Sequence, residues 1–139
     1  RRGIVDRPRA VGRVAVERKS LVDCQGTVLG FSKIGGTSQR ERFEQELAEL
    51  TKLESACVIV EASFDAVITT PTRSPRDEGT TRKILHRSIL AMQTDYRVPW
   101  FFCGSRRMAE ITTFRFLWRY WKHQHADAKQ SQRALASIG

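Results

Sequence analysis

The chain has 139 residues, one domain's worth of polypeptide and enough to bury a core. Its 24 Lys and Arg outweigh 15 Asp and Glu, a formal charge of +9 that favours polyanionic partners, nucleic acid above all. No apolar run approaches the roughly 18 residues of a membrane helix, so no membrane-spanning helix is expected, and no secretory leader pattern opens the sequence.

The charge is uneven. Residues 1–20 carry seven Lys or Arg against Asp6 and Glu17, residues 105–139 carry seven against Glu110 and Asp127, and the middle is close to neutral. Cys24, Cys57 and Cys103 lie far apart with no metal-ligand spacing, which argues against structural zinc and for reduced thiols in a cytoplasmic setting.

In chain order, residues 11–19 alternate like a strand. Ser20 begins a short helical stretch to about Leu29, and Gly30, Gly35 and Gly36 punctuate the following loop. Ser38 to Leu53 reads as the clearest helix: Ser38 and Glu41 have capping-box spacing, with Phe43, Leu47, Leu50 and Leu53 on one face. Residues 56–62 form a continuous apolar run, the mark of a strand buried on both faces. Residues 69–80 read as a polar loop. Residues 81–96 form a second amphipathic helix with Ile84, Leu85, Ile89, Met92 and Tyr96 inward. Val98 to Cys103 is another buried strand, and a final helix is expected from Gly104-Ser105 to about His125, followed by a polar tail. This alternation predicts an α/β fold with a partly parallel sheet.

Strand alternation sets the chemistry. Val14 and Val16 point one way; Arg13, Ala15, Glu17 and Lys19 point the other. Glu17 and Lys19 are then neighbours on one face, roughly 7 Å apart at their Cα atoms. A carboxylate there can hold Mg²⁺, and a lysine beside it can orient a water and stabilise an anionic transition state. The same spacing also suits an exposed salt bridge at a strand end. Arg18 falls on the opposite face as a structural or substrate-backbone contact. Asp23 has two readings, as a helix cap with Ser20 or as a further acid of the site.

The string Val16-Glu-Arg-Lys-Ser-Leu-Val-Asp23 resembles the ERKxxxD signature of the XPF family of structure-specific DNA endonucleases. Arg40-Glu-Arg-Phe-Glu-Gln-Glu-Leu-Ala-Glu-Leu resembles that family's next helix, Val58-Ile-Val-Glu61 its next buried strand, and the segment Met92 to Phe102 its last helix-to-strand junction. The resemblance is to the compact stand-alone type of phage and bacteria. It implies a restriction-endonuclease-like α/β core, with a central mixed sheet flanked by helices, whose N-terminal strand or strands can lie before residue 1. It implies Mg²⁺- or Mn²⁺-dependent cleavage of branched or flap DNA in repair and recombination. Glu17 is then a metal ligand, Lys19 the catalytic lysine and Asp23 the last acid of the signature.

One departure from the family pattern is plain. A Gly-Asp pair normally precedes the Glu and supplies a second metal ligand. Here Asp6 follows Val5 instead, so either Asp6 or an acid upstream of residue 1 fills that role. Loss of this ligand would suit an inactive, DNA-binding, dimer-forming pseudo-nuclease of the same fold.

Projected at 100° per residue, residues 106–123 set Ile111, Phe114, Leu117, Trp118 and Trp121 on one stripe, expected to be core. Arg115, Arg119 and Lys122 form a second, and Phe116 and Tyr120 fall outside the core stripe. That pair suits either partial burial under the tail or a partner surface, and the resemblance adds weight to its being the contact of a homodimer. Arg13, Arg18, Arg40, Arg106 and Arg107 are the expected DNA contacts. The expected organisation is a nuclease-like domain over residues 1–125 and a polar tail over 126–139.

Overall fold

The computed structural model describes residues 2–4, 13–31 and 33–138. A four-stranded mixed sheet stands at its centre in the order β1 (Arg2–Ile4), β2 (Val14–Lys19), β5 (Ser55–Val60), β6 (Trp100–Phe102). β2, β5 and β6 are parallel and β1 is antiparallel to β2. The expected α/β class is borne out. Val, Ile and Cys fill β5 because both of its faces are covered, and Cys57 to Val60 are fully buried.

The helices are α1 (Leu21–Leu29), α2 (Gln39–Leu50), α3 (Phe64–Thr69), α4 (Glu78–Tyr96) and α5 (Arg106–Ile138), with a small hairpin of β3 (Lys33–Ile34) and β4 (Thr37–Ser38) between the first two. Capping residues fix their starts. Ser20, Ser38, Ser63 and Asp77 each accept a hydrogen bond from the backbone N–H three residues on, and Ser38 with Glu41 forms the full capping box. Gly30 ends α1 in the left-handed region at φ 73°, where its N–H reaches the Gly26 carbonyl, the glycine stop common at helix C-termini.

The two faces of the sheet are covered differently. One carries Ala15, Val58, Val60 and Trp100 under α1, α2, α3 and α4, whose Val28, Phe43, Leu47, Leu85 and Ile89 make the main core. The other carries Val16, Cys57 and Ile59 under α5 alone, with Ala109 at 0 % exposure in the contact. Gln25, buried in α1, donates through Nε2 to the carbonyls of Val67 (3.0 Å) and Thr70 (2.9 Å), satisfying the end of α3 from a neighbouring helix.

Several expectations are corrected. α3 covers residues to which the sequence reading assigns no element; its six residues are too short for a periodic signal. α5 does not stop near His125 but runs unbroken to Ile138. Residues 126–138 are rich in Ala, with two Gln, and hold neither Gly nor Pro, so no helix breaker interrupts them. The orientation of α5 is also different. Phe114, Trp118 and Trp121 are 66, 48 and 47 % exposed, whereas Phe116 and Leu117 pack on the sheet. The strand side chains beneath are short, and the small Ala109 lets the helix come close. That approach turns Phe116 inward and leaves the larger tryptophans outside.

Candidate active site

Alternation along β2 sends Ala15, Glu17 and Lys19 to the main-core face and Val16 and Arg18 to the α5 face, as expected. Glu17 is 3 % exposed, although it lies within two residues of the strand end. Lys19 Nζ stands 3.5 Å from Glu17 Oε2. The ammonium also lies 4.8 Å from the centre of the Phe43 ring and makes a long hydrogen bond of 3.4 Å to Thr27 Oγ1. Thr27 is held in turn by Gln39 Nε2 at 3.0 Å. Strand, α1 and α2 therefore converge on one lysine. A carboxylate so deeply buried needs its charge balanced, and Lys19 provides that balance.

An open pocket of about 420 Å³ adjoins Lys19, floored by Thr27 and Phe43 and rimmed by Gln39, Arg42, Glu46 and Glu49 of α2. It lies towards the carboxyl ends of the parallel strands, where open α/β sheets place their ligands. The sequence signals for this rim are weak, because Gln39, Glu46 and Glu49 read as the solvent face of an amphipathic helix.

Arg18 behaves as the opposite face requires. Its Nη2 pairs with Glu61 Oε2 just beyond the end of β5, both side chains being about one-fifth exposed. The Glu61 N–H donates to the Lys19 carbonyl at 2.8 Å, so side chains and backbone together tie the ends of the two strands that carry the site. Glu61, at the end of the apolar run, is thus a strand tie on the face away from Glu17.

Asp23 is exposed in the first turn of α1, and its N–H donates to Ser20 Oγ at 3.1 Å. Its charge, favourable at a helix start, reaches Cys24 together with that of Lys19. Burial dominates at Cys24 and pushes its thiol up to about 12, with Lys19 lowering and Asp23 raising it.

The remaining site residues scatter. Arg40 is about one-third exposed, with Nε 3.2 Å from Glu44 Oε2 and Nη1 3.0 Å from Ser88 Oγ, clamping α2 to α4. Arg13 is exposed at the opposite end of β2 from Lys19. Arg106 and Arg107 are exposed at the start of α5, at the same sheet end as Lys19. Phe116 and Tyr120, expected at a homodimer contact, are engaged within the chain. Phe116 packs on the sheet and the Tyr120 hydroxyl donates to Glu54 Oε1 at 3.0 Å.

Asp6 lies outside the described residues. β1 pairs Arg2 with Glu17 and Ile4 with Ala15, so it is the Arg2 end of β1 that adjoins the site. Among the described residues no three His, Cys, Asp or Glu side chains form a ready-made metal cluster. Glu17 is a hard oxygen donor of the kind Mg²⁺ takes, which commonly needs only one or two protein carboxylates plus water and phosphate. No protein-family model matches this sequence, and no characterised protein matches it significantly.

Proposed function

We propose that the chain is a metal-dependent endonuclease with a restriction-endonuclease-like core that hydrolyses phosphodiester bonds in branched or flap DNA. The observation that carries the reading is the convergence of a buried carboxylate and an ammonium, 3.5 Å apart, at the carboxyl end of a central strand beside an open pocket. Glu17 would hold Mg²⁺ or Mn²⁺. The ion supplies a more acidic water and a counter-charge for the phosphate. Lys19, pre-positioned by Phe43 and Thr27, stabilises charge developing on the scissile phosphate and orients the attacking water. Arg18 and Glu61 keep the two strand ends in register. The excess of basic residues fits phosphate contacts, which hold DNA without reading its sequence.

The test is cleavage of labelled flap, fork and linear duplexes with Mg²⁺ and with EDTA. Cutting that requires the metal and falls by about 100-fold or more in Glu17→Gln and in Lys19→Met is expected. Cutting that survives both substitutions refutes the assignment. A second reading, an inactive DNA-binding, dimer-forming pseudo-nuclease of the same fold, is favoured by the ion pair itself, since Lys19 already balances Glu17 without a metal. Structure-selective binding with no cleavage, unchanged by either substitution, would select it.

A further inference from the structure

The proposed chemistry leaves unused the most unusual surface of the chain. Along the outer face of α5 the rings of Phe114, Trp118, Trp121 and His125 form a column. Phe114 and Trp118 lie 6.4 Å apart at 9°, Trp118 and Trp121 5.0 Å apart at 15°, and Trp121 and His125 3.6 Å apart at 33°. The column extends roughly 16 Å along the helix. Beside it run Arg115, Arg119 and Lys122, which with Trp118 line an open groove of about 460 Å³. Between Glu110 and Asp127 the sequence holds no acidic residue.

We infer that this face of α5 is a stacking platform for single-stranded DNA. Trp121 stacks between Trp118 and His125, so the π-surface open to bases is that of Phe114 and Trp118, and a basic row beside them follows the phosphates, the two elements that sequence-tolerant single-strand binders combine. Charge decides against a second copy of the chain. In a two-fold pairing the same patch meets itself, and the basic row would face its own copy with no acid on this stretch to neutralise it. The assignment rests on the nucleic-acid part of the function proposed above and not on its chemistry. The start of α5 lies at the sheet end that carries Lys19, so an unpaired arm leaving that end can run back along the helix.

The experiment measures binding of the full chain to fluorescein-labelled oligothymidylate in EDTA, by anisotropy and tryptophan quenching. An abasic strand of equal length is the control. Phe114→Ala and Trp118→Ala are each expected to weaken oligothymidylate binding about tenfold, with Trp118→Phe recovering most of it. Abasic binding is expected to be weaker and indifferent to these changes. Equal affinity for both strands, or alanine variants that bind oligothymidylate like the parent, would overturn the platform. So would tighter binding to oligouridylate, self-association abolished by Trp118→Ala, or a tryptophan response to anionic vesicles alone. Because EDTA removes cleavage, a failed nuclease assay leaves this result standing. Metal-dependent cleavage without base-dependent binding would sink the platform alone.

Discussion

Replacing Lys19 by Met removes the ammonium and keeps a stem of similar length against Phe43. It leaves Glu17, 3 % exposed, without the ammonium that stands 3.5 Å from its carboxylate. At 3.5 Å and an effective dielectric near 20 the attraction lost is roughly 5 kcal/mol. Lys19 is 15 % exposed, and water entering at the strand end recovers part of that, so the expected cost is about 2 kcal/mol. Glu17→Gln is expected to cost less, because Lys19 keeps its contacts with Phe43 and Thr27 and some access to water. The double variant removes both charges together and is expected within about 1 kcal/mol of the parent. Urea unfolding of the four proteins in a double-mutant cycle measures all three quantities. A Lys19→Met midpoint equal to the parent's would refute the claim that Lys19 balances a buried charge. A double variant as unstable as the sum of the singles would refute the coupling.

Arg18→Lys keeps the charge but loses the reach to Glu61, and is expected to lower stability by about 1 kcal/mol in thermal unfolding; an unchanged melting temperature would make that strand tie dispensable. Burial pushes the Cys24 and Cys57 thiols up to about 12, so at pH 8 a disulfide exchange reagent should react quickly with Cys103 alone, and fast reaction of all three would contradict the packing. Hydrogen bonds from Ser38 hold the Glu41 carboxyl below its ordinary 4.5. A depressed folded value means that the capping contribution is complete above that ordinary value and is lost as pH falls through the lower one. Helical signal followed by circular dichroism below pH 4.5 should therefore decline less steeply in Glu41→Gln, which cannot titrate, and identical slopes would argue against the box.

Much of the site was legible because strand geometry is local. A period of two is enough to put Glu17 and Lys19 on one face and Arg18 on the other, and the structure follows it. Capping was equally local: Ser20 and Ser38 sit where their hydroxyls must go. What could not be read was whose side chains meet from distant parts of the chain. The Arg40 clamp to Ser88 and the Arg18 tie to Glu61 join residues 48 and 43 positions apart, and no periodicity encodes such pairs.

The sequence by itself determined the α/β class, the parallel strands and the face on which the carboxylate and ammonium stand, because each follows from hydrophobic period and capping over a few residues. Tertiary structure alone decided the burial of Glu17, the enclosure of Lys19 by Phe43 and Thr27, and the direction in which α5 faces. A helix with aromatic residues on more than one side has no single inward stripe. Its orientation is chosen by the surface it meets, and here the short side chains of β2 and β5 accept Ala109 and Phe116 and leave the tryptophans to solvent.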